Sequence, residues 1–111
     1  MFKKKKNAYS EAESNLNNSS KAADRLIIQK LNDDDYAAKE LLLKLKDGYP
    51  LVLNFGDLDD RAANKMIAFM TGGTVVLDGK VARINETTFL FARKVDFLDG
   101  SLAQFINNLP K

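Results

Sequence analysis

The stretch LDDRAANKMIAFMTGGTVVLDGKVARINETTFLF, from Leu58 to Phe91, decides the fold of this chain. Its first half has apolar residues at helical spacing, which predicts a helix over residues 60–71. The Gly72–Gly73 pair predicts the end of that helix, because glycine is favoured just past a helix terminus. Asp78–Gly79 lies between two β-type runs and is a strong hairpin signal. The stretch therefore predicts one amphipathic helix followed by a three-stranded meander.

The meander strands are predicted at residues 74–77, 80–85 and 87–93. Upstream, residues 25–31 and 51–55 have the apolar and β-branched composition of strands. A helix between them is predicted from the acidic run 32–35, which offers capping side chains, to about Lys46, with Gly48 ending it. Its buried face has apolar residues at helical spacing: Ala38, Leu41, Leu42 and Leu45. Because a β-α-β connection is right-handed, the first two strands are predicted to be parallel.

These elements predict an α/β (α+β) fold, a two-layer sandwich of order βαβαβββ with a short C-terminal helix. The helices cover one face of the sheet, and the other face needs a cover. The second predicted helix is apolar on two sides, which indicates burial on two sides, so we expect a dimer. Three segments are predicted: a flexible basic and polar tail over 1–23, the α/β domain over 24–94, and an amphipathic C-terminal helix over 95–111.

Composition excludes several classes of function. The chain has 111 residues and no cysteine or histidine, so it lacks disulfides, a thiolate nucleophile and the commonest zinc ligand. We expect no catalytic centre, no cofactor and no metal. The acidic runs 33–35 and 57–60 could suggest metal ligands, but helix capping explains them more simply. The net charge of +2 argues against a dedicated nucleic-acid binder, and the apolar runs are too short to span a membrane.

Residues 25–93 resemble the SepF family of bacterial cell-division proteins. The match follows the order of the family's pattern through Asn54, Leu58, Ala63, Ile67, Phe69, Gly72, Gly79, Ile84, Phe89 and Leu90. Lys65 replaces the usual arginine, Ala68 a common aspartate and Val75 a common tyrosine. The resemblance implies a protein that is not an enzyme, dimerises through its sheet layer and assembles further through its second helix. It also implies binding of the C-terminal peptide of FtsZ, a tubulin-like filament protein.

The resemblance places the FtsZ-peptide site at Arg83 and Phe89. Phenylalanine would supply a desolvated anchor and arginine a fork for a carboxylate. We expect the dimer to create a groove with Phe89 as its floor and Arg83 at its flank. The alternative is a core phenylalanine beside a solvated arginine, and the sequence leaves both open.

Phe69 and Gly72 are the predicted self-assembly residues. Gly72 would allow close helix approach between dimers, although a glycine here is by default a helix stop. Met66 is the better core candidate, and Phe69 the better interface candidate. Higher polymers are possible products of this contact.

The start of the chain is the predicted site of weak membrane-surface contact: Met1, Phe2, Lys3, Lys4, Lys5 and Lys6. Family members usually have an amphipathic helix and a long acidic linker there, which this sequence lacks. The lysines could equally form a solvated tail, or bind nucleic acid, although they lack interleaved aromatic residues.

We therefore predict a cytoplasmic adaptor of the division ring, located at the division site on the inner membrane face, that captures FtsZ tails and self-assembles. The rival is a small-molecule-binding regulatory domain in the manner of ACT-like sandwiches. That domain would use the strand–helix edge of the sheet instead of the meander.

Overall fold

The computed structural model of the chain describes residues 20–110. Its elements follow in this order: a 3-10 helix Ala22–Arg25, β1 Ile27–Lys30, α1 Asp35–Lys46, β2 Leu51–Asn54, α2 Asp60–Val76, β3 Gly79–Arg83, β4 Thr88–Arg93, a second 3-10 helix Lys94–Phe97 and α3 Ser101–Asn107. The predicted mixed α/β class is confirmed.

The sheet has four strands in the order β1-β2-β4-β3. β1 and β2 are parallel, with Ile27 beside Leu51, as the β-α-β argument predicted. β4 is antiparallel to both β2 and β3, so it lies in the middle of the sheet. Because side chains alternate between faces, Leu51, Leu53 and Phe91 face the helices, whereas Val52 and Leu90 face the other way.

Helix α1 forms where the sequence predicted it. The Asp34 carboxylate accepts hydrogen bonds from the amides of Tyr36 and Ala37, at 3.0 and 3.1 Å, which caps the first turn. Ala38, Leu41 and Leu45 are buried against the sheet. The chain leaves the helix through Gly48 at φ 100°, a conformation that glycine adopts without steric cost.

Helix α2 is longer than predicted, and the strand expected at residues 74–77 is wrong. The helix runs through Gly72 and Gly73 to Val76. A Cβ on Gly73 would collide with the Leu42 side chain of α1, so this glycine permits close helix packing. Thr74 is fully buried, and its hydroxyl donates to the Met70 carbonyl at 2.7 Å. Burial between the helix and the sheet therefore outweighs the β preference of this segment.

The hairpin predicted at Asp78–Gly79 is also wrong, because these residues connect α2 to β3. Asp78 takes φ 59° at the end of the helix, and Gly79 is the first residue of β3. A Cβ on Gly79 would lie 2.6 Å from the Ala92 carbonyl oxygen, so only glycine fits this start. The order is therefore βαβαββα, with four strands instead of five.

The face of the sheet away from α1 and α2, called here the outer face, is covered by the chain itself. Ala22 and Leu102 are buried there against Val52, Leu90 and Ala92. The expectation that this face lacks a cover is wrong, because α3 and the first 3-10 helix supply one. Residues 22–23, predicted as tail, thus belong to the folded unit.

The predicted C-terminal helix is divided in two. The second 3-10 helix ends at Phe97, and α3 begins after Gly100, which takes φ 81°. Leu98, which falls within the range predicted as one amphipathic helix, lies in the connection and is 80% exposed. Leu102 is the buried contact that seats α3 on the sheet.

Polar contacts attach the cover to the rest of the domain. The Asp99 carboxylate accepts from the Ala22 amide at 2.9 Å and from the Ser101 amide at 2.8 Å, and the Ser101 hydroxyl accepts from the Ala23 amide at 2.9 Å. Burial opposes ionisation of Asp99, but the hydrogen bonds from the Ala22 amide and from the hydroxyl and amide of Ser101, together with the charge of Arg25, lower the pKa of its carboxyl.

A buried carboxylate makes a second attachment. Asp96 accepts from Arg25 and from Arg93, each at 3.0 Å, and Arg25 also donates to the Gly48 carbonyl at 2.8 Å. This cluster ties the start of the described chain to the end of β4.

Candidate peptide-binding groove

A groove opens between the first half of α2 and the turn that joins β3 to β4. Its volume is about 450 Å³, within the range of small-ligand sites. Its lining combines an apolar floor with a charged rim: Phe55, Gly56, Leu58, Asp60, Ala63, Asn64, Ile67, Arg83, Glu86, Thr87 and Phe89. We call it the Phe89 groove.

The structure brings together the two residues predicted to bind the FtsZ peptide. Arg83 and Phe89 are direct partners across the β3–β4 pair, so their side chains share a face of the sheet. The Arg83 guanidinium carbon lies 5.4 Å from the centre of the Phe89 ring, at cation–π distance. Phe89 is half-buried and meets Phe55 edge to face at 5.6 Å between ring centres. The ring is therefore fixed in orientation, with part of its surface open to the groove.

A single protomer forms this groove. Helix α2 supplies one of its walls, and the part that a dimer would play in the groove stays a prediction. Leu58, Ala63 and Ile67 come from the start of α2 and the loop before it, and all three are half-buried. They pack against the same core as Phe89, so the apolar floor is continuous with the interior.

Side-chain hydrogen bonds shape the open end of the groove. Asn54 accepts from the Gly56 amide at 2.7 Å and donates to the Thr88 hydroxyl at 3.2 Å, which links the ends of β2 and β4. Arg83 donates to the backbone carbonyls of Asn85 and Glu86, at 3.1 and 3.0 Å. The rim therefore has fixed backbone geometry on the strand side.

The predicted self-assembly residues lie elsewhere, on the exposed side of α2. Phe69 is 40% exposed, and a Cβ added to Gly72 would meet no atom within 4 Å. Ala68, Val75 and Val76 are also exposed and follow at helical spacing. We call these five residues the α2 stripe. Met66, by contrast, is fully buried, as predicted for a core residue.

The acidic runs serve as helix starts. Asp34 caps α1, and the Asp59 carboxylate caps α2 by accepting from the Ala62 amide at 2.8 Å. Lys65 pairs with Asp33 and Asp35, and the hydrogen bond to Asp33 raises the pKa of Lys65 above its usual 10.5. At this strand–helix edge, Lys65 is therefore already paired with two carboxylates. Over residues 20–110, no group of three acidic side chains is close enough to hold a metal ion.

The predicted membrane-contact residues, Met1 to Lys6, lie outside the described residues. Within residues 20–110, no helix is long and apolar enough to cross a bilayer.

Comparison with known families identifies the domain. The family model described as cell division protein SepF matches residues 28–96, which is more than half of the chain. This chain belongs to the SepF family. The matched range runs from β1 to the second 3-10 helix, so it includes both walls of the Phe89 groove and the α2 stripe.

Curated SepF proteins agree with this assignment. The SepF of Coprothermobacter proteolyticus is 39% identical over 51 residues, which are 46% of this chain and 37% of the relative. That of Natranaerobius thermophilus is 35% identical over 65 residues, or 59% of this chain and 39% of the relative. The SepF of Lactobacillus gasseri is 28% identical over 74 residues, which are 67% of this chain and 51% of the relative. The match thus spans only a third to a half of these relatives. The chain is a member of a cell-division family.

Several groove residues were not predicted from the sequence. Phe55, Asp60, Ile67 and Glu86 lie in three separate segments, and no spacing rule connects them. They meet because α2 crosses above the β3–β4 turn. Gly73 was also missed as a packing residue, since a glycine pair gives the same signal at a helix end and at a helix–helix contact.

Proposed function

We propose that this SepF protein is an adaptor that binds the C-terminal peptide of FtsZ in the Phe89 groove. The observation that carries the proposal is the groove itself, where a fixed, half-open phenylalanine ring lies beside an arginine. An apolar side chain of the peptide would pack on Phe89 and Ile67. The groove is too small for more than a few side chains, so one tail would bind weakly and a row of tails on a filament would bind by avidity.

Titration of a fluorescent FtsZ C-terminal peptide tests this proposal. Phe89→Ala and Arg83→Glu should each weaken binding by about tenfold or more, because anchor residues dominate such interfaces. Phe69→Ala is the matched control, since it removes an exposed phenylalanine outside the groove, and it should bind as the unaltered protein does. Circular dichroism checks that each variant is folded. Equal affinity for all four proteins would reject the site.

We propose further that copies of the chain associate through the α2 stripe. Val75 is 61% exposed and Val76 84%, next to the bare surface at Gly72. Since the outer face of the sheet is covered by α3, a homodimer would use this stripe, and any longer polymer would need a second contact. Gly72 lets a partner helix approach closely because no side chain intervenes.

Sedimentation velocity and light scattering test the association. Gly72→Lys should lower the average mass at micromolar concentration without unfolding the domain. Gln104→Lys adds the same charge to the exposed side of α3 and is the control. If the unaltered chain is a monomer at these concentrations, or if both variants associate equally well, the stripe is not an interface.

Contact with the membrane surface through residues 1–6 completes the proposal. Each lysine near an anionic leaflet contributes about 1 kcal/mol, so the contact would be weak in a single protomer and stronger in an assembly. Co-sedimentation with anionic vesicles should drop when residues 1–6 are deleted. Retention equal to that of the full chain would remove this part of the proposal.

A further inference from the structure

The charged side chains that line the Phe89 groove differ from other charged residues of the domain in their ion pairing. Over residues 20–110, the ion pairs of the structure join Arg25 and Arg93 to Asp96, Lys30 to Asp57, Lys65 to Asp33 and Asp35, and Lys94 to Asp78. The three charged side chains that line the groove belong to none of these pairs: Asp60, Arg83 and Glu86.

The two walls of the groove differ in charge. On the strand side, Arg83 lies over Phe89 and its guanidinium donates to the carbonyls of Asn85 and Glu86. The carboxylate of Glu86 belongs to the same turn, so it offsets the positive charge of that wall. On the helix side, Asp60 is exposed, and no cation of the described chain pairs with it. The lining therefore carries a net negative charge, and the excess is on α2.

Asp60 also has no evident structural task beyond its place in the first turn of α2. The capping hydrogen bond of this helix comes from Asp59 instead. The cations nearest in sequence are directed away from the groove: Arg61 lines the cavity beside Asp33, and Lys65 pairs with Asp33 and Asp35. The Asp60 carboxylate is thus left to interact with solvent or with a bound molecule.

We infer that Asp60 is a specificity residue that selects peptides carrying a lysine or arginine beside their apolar anchor. The anchor packs on Phe89 and Ile67, the basic residue reaches Asp60 on the helix wall, and an acidic residue or a terminal carboxylate reaches Arg83 on the strand wall. Because the two walls attract opposite charges, they also fix the direction in which the peptide lies. This inference rests on the proposed function, since it describes the ligand of the same groove.

If Asp60 pairs with a basic residue of the peptide, the loss of affinity on changing one of the two groups should depend on whether the other is present. Asp60→Asn keeps the size of the side chain and removes its charge. It should weaken binding of the FtsZ C-terminal peptide by about two- to fivefold at low salt, as expected for an exposed ion pair. Replacing the basic residue of the peptide by alanine should weaken binding to the unaltered protein by a similar factor. The same replacement should not weaken binding to the Asp60→Asn variant any further. This non-additivity shows that the two groups interact.

Two further measurements separate charge recognition from an effect on folding. The difference in affinity between the unaltered protein and Asp60→Asn should shrink at 0.5 M salt, because salt screens exposed charges. Asp60→Lys should regain affinity for a peptide whose basic residue is changed to glutamate. Asp47→Asn is the matched control, because Asp47 is an exposed aspartate that directly follows the last residue of α1 and lies outside the groove.

The outcomes are distinguishable. If the unaltered protein binds no FtsZ peptide, the proposed function fails and this inference fails with it. If the peptide binds, and Phe89→Ala weakens it, but Asp60→Asn binds every peptide as tightly as Asp47→Asn does, the groove stands and the role of Asp60 is rejected. Equal loss for peptides with and without a basic residue would also reject that role.

Discussion

The two faces of the sheet are covered in different ways. The inner face, towards α1 and α2, is held by large apolar side chains that interlock with two long helices: Leu51, Leu53, Phe91, Met66 and Met70 are all fully buried. The outer face is covered by a seven-residue helix and a 3-10 helix, attached through Leu102, Asp96, Asp99 and Ser101. The inner layer is therefore the larger apolar core, whereas the outer layer is a smaller cover that combines an apolar contact with hydrogen bonds and ion pairs.

The largest effect should come from the inner face. Phe91→Ala removes a fully buried ring that packs on Phe55, and it should lower the free energy of unfolding by about 3–5 kcal/mol. Chemical denaturation measures this loss. Phe69→Ala, which truncates the same residue type on the α2 stripe, should cost less than about 1 kcal/mol at a protein concentration low enough to keep the chain monomeric. Equal losses for the two variants would contradict the assignment of the core.

A smaller effect is expected for the apolar contact of the outer face. Leu102→Ala should lower the free energy of unfolding by about 2–3 kcal/mol, near the lower end for buried leucines, because the short α3 can shift into the space. Hydrogen exchange should rise first in α3 and the first 3-10 helix, while β2 and β4 stay protected. Leu98→Ala, at an 80% exposed position, is the control. Uniform loss of protection would show that the two layers unfold as one unit.

The next prediction concerns the buried carboxylate of the cover. Asp96→Ala removes the buried carboxylate to which both Arg25 and Arg93 donate, and it should cost about 2 kcal/mol. The exposed Asp47→Asn should change the free energy of unfolding by less than about 0.5 kcal/mol. A neutral result for Asp96→Ala would mean that apolar contacts alone hold the cover.

The smallest effect should depend on pH. Because the folded state lowers the pKa of Asp99 below 3.8, its contribution is present above that pH and is lost as the pH falls below about 4. The carboxylate is solvent-screened, so Asp99→Asn should cost less than about 1 kcal/mol at pH 7. The variant and the unaltered protein should converge in stability at acid pH in parallel denaturation curves. A gap that stays constant from pH 7 to pH 3 would contradict this role.

The inner layer was largely predictable from the sequence, because local signals and tertiary packing agree there. The cap at Asp34, the stripe on α1 and the parallel β-α-β unit all follow from residue type and spacing. The prediction for residues 72–79 was wrong because local signals and tertiary packing disagree there. Glycine and β-branched residues favour a stop and a strand locally, but contacts with Leu42 and the buried Thr74 keep the helix intact.

The groove was predicted in part. Arg83 and Phe89 came from the resemblance to a family, and the cross-strand register explains why they meet. The helix wall, with Asp60 and Ile67, depends on how α2 crosses the sheet, which no local pattern encodes. The sequence did not predict that α3 covers the outer face, because the apolar pattern of a seven-residue helix does not show which surface it packs against.

The first 3-10 helix and the Phe89 groove lie at opposite ends of β4. Residues 20–25 contact the region of Gly48 and Asp96, beside the last residue of β4, whereas Phe89 and Thr88 are at its start. A six-residue strand spans about 17 Å. The point where the described chain begins and the groove are therefore separated by about the length of this strand.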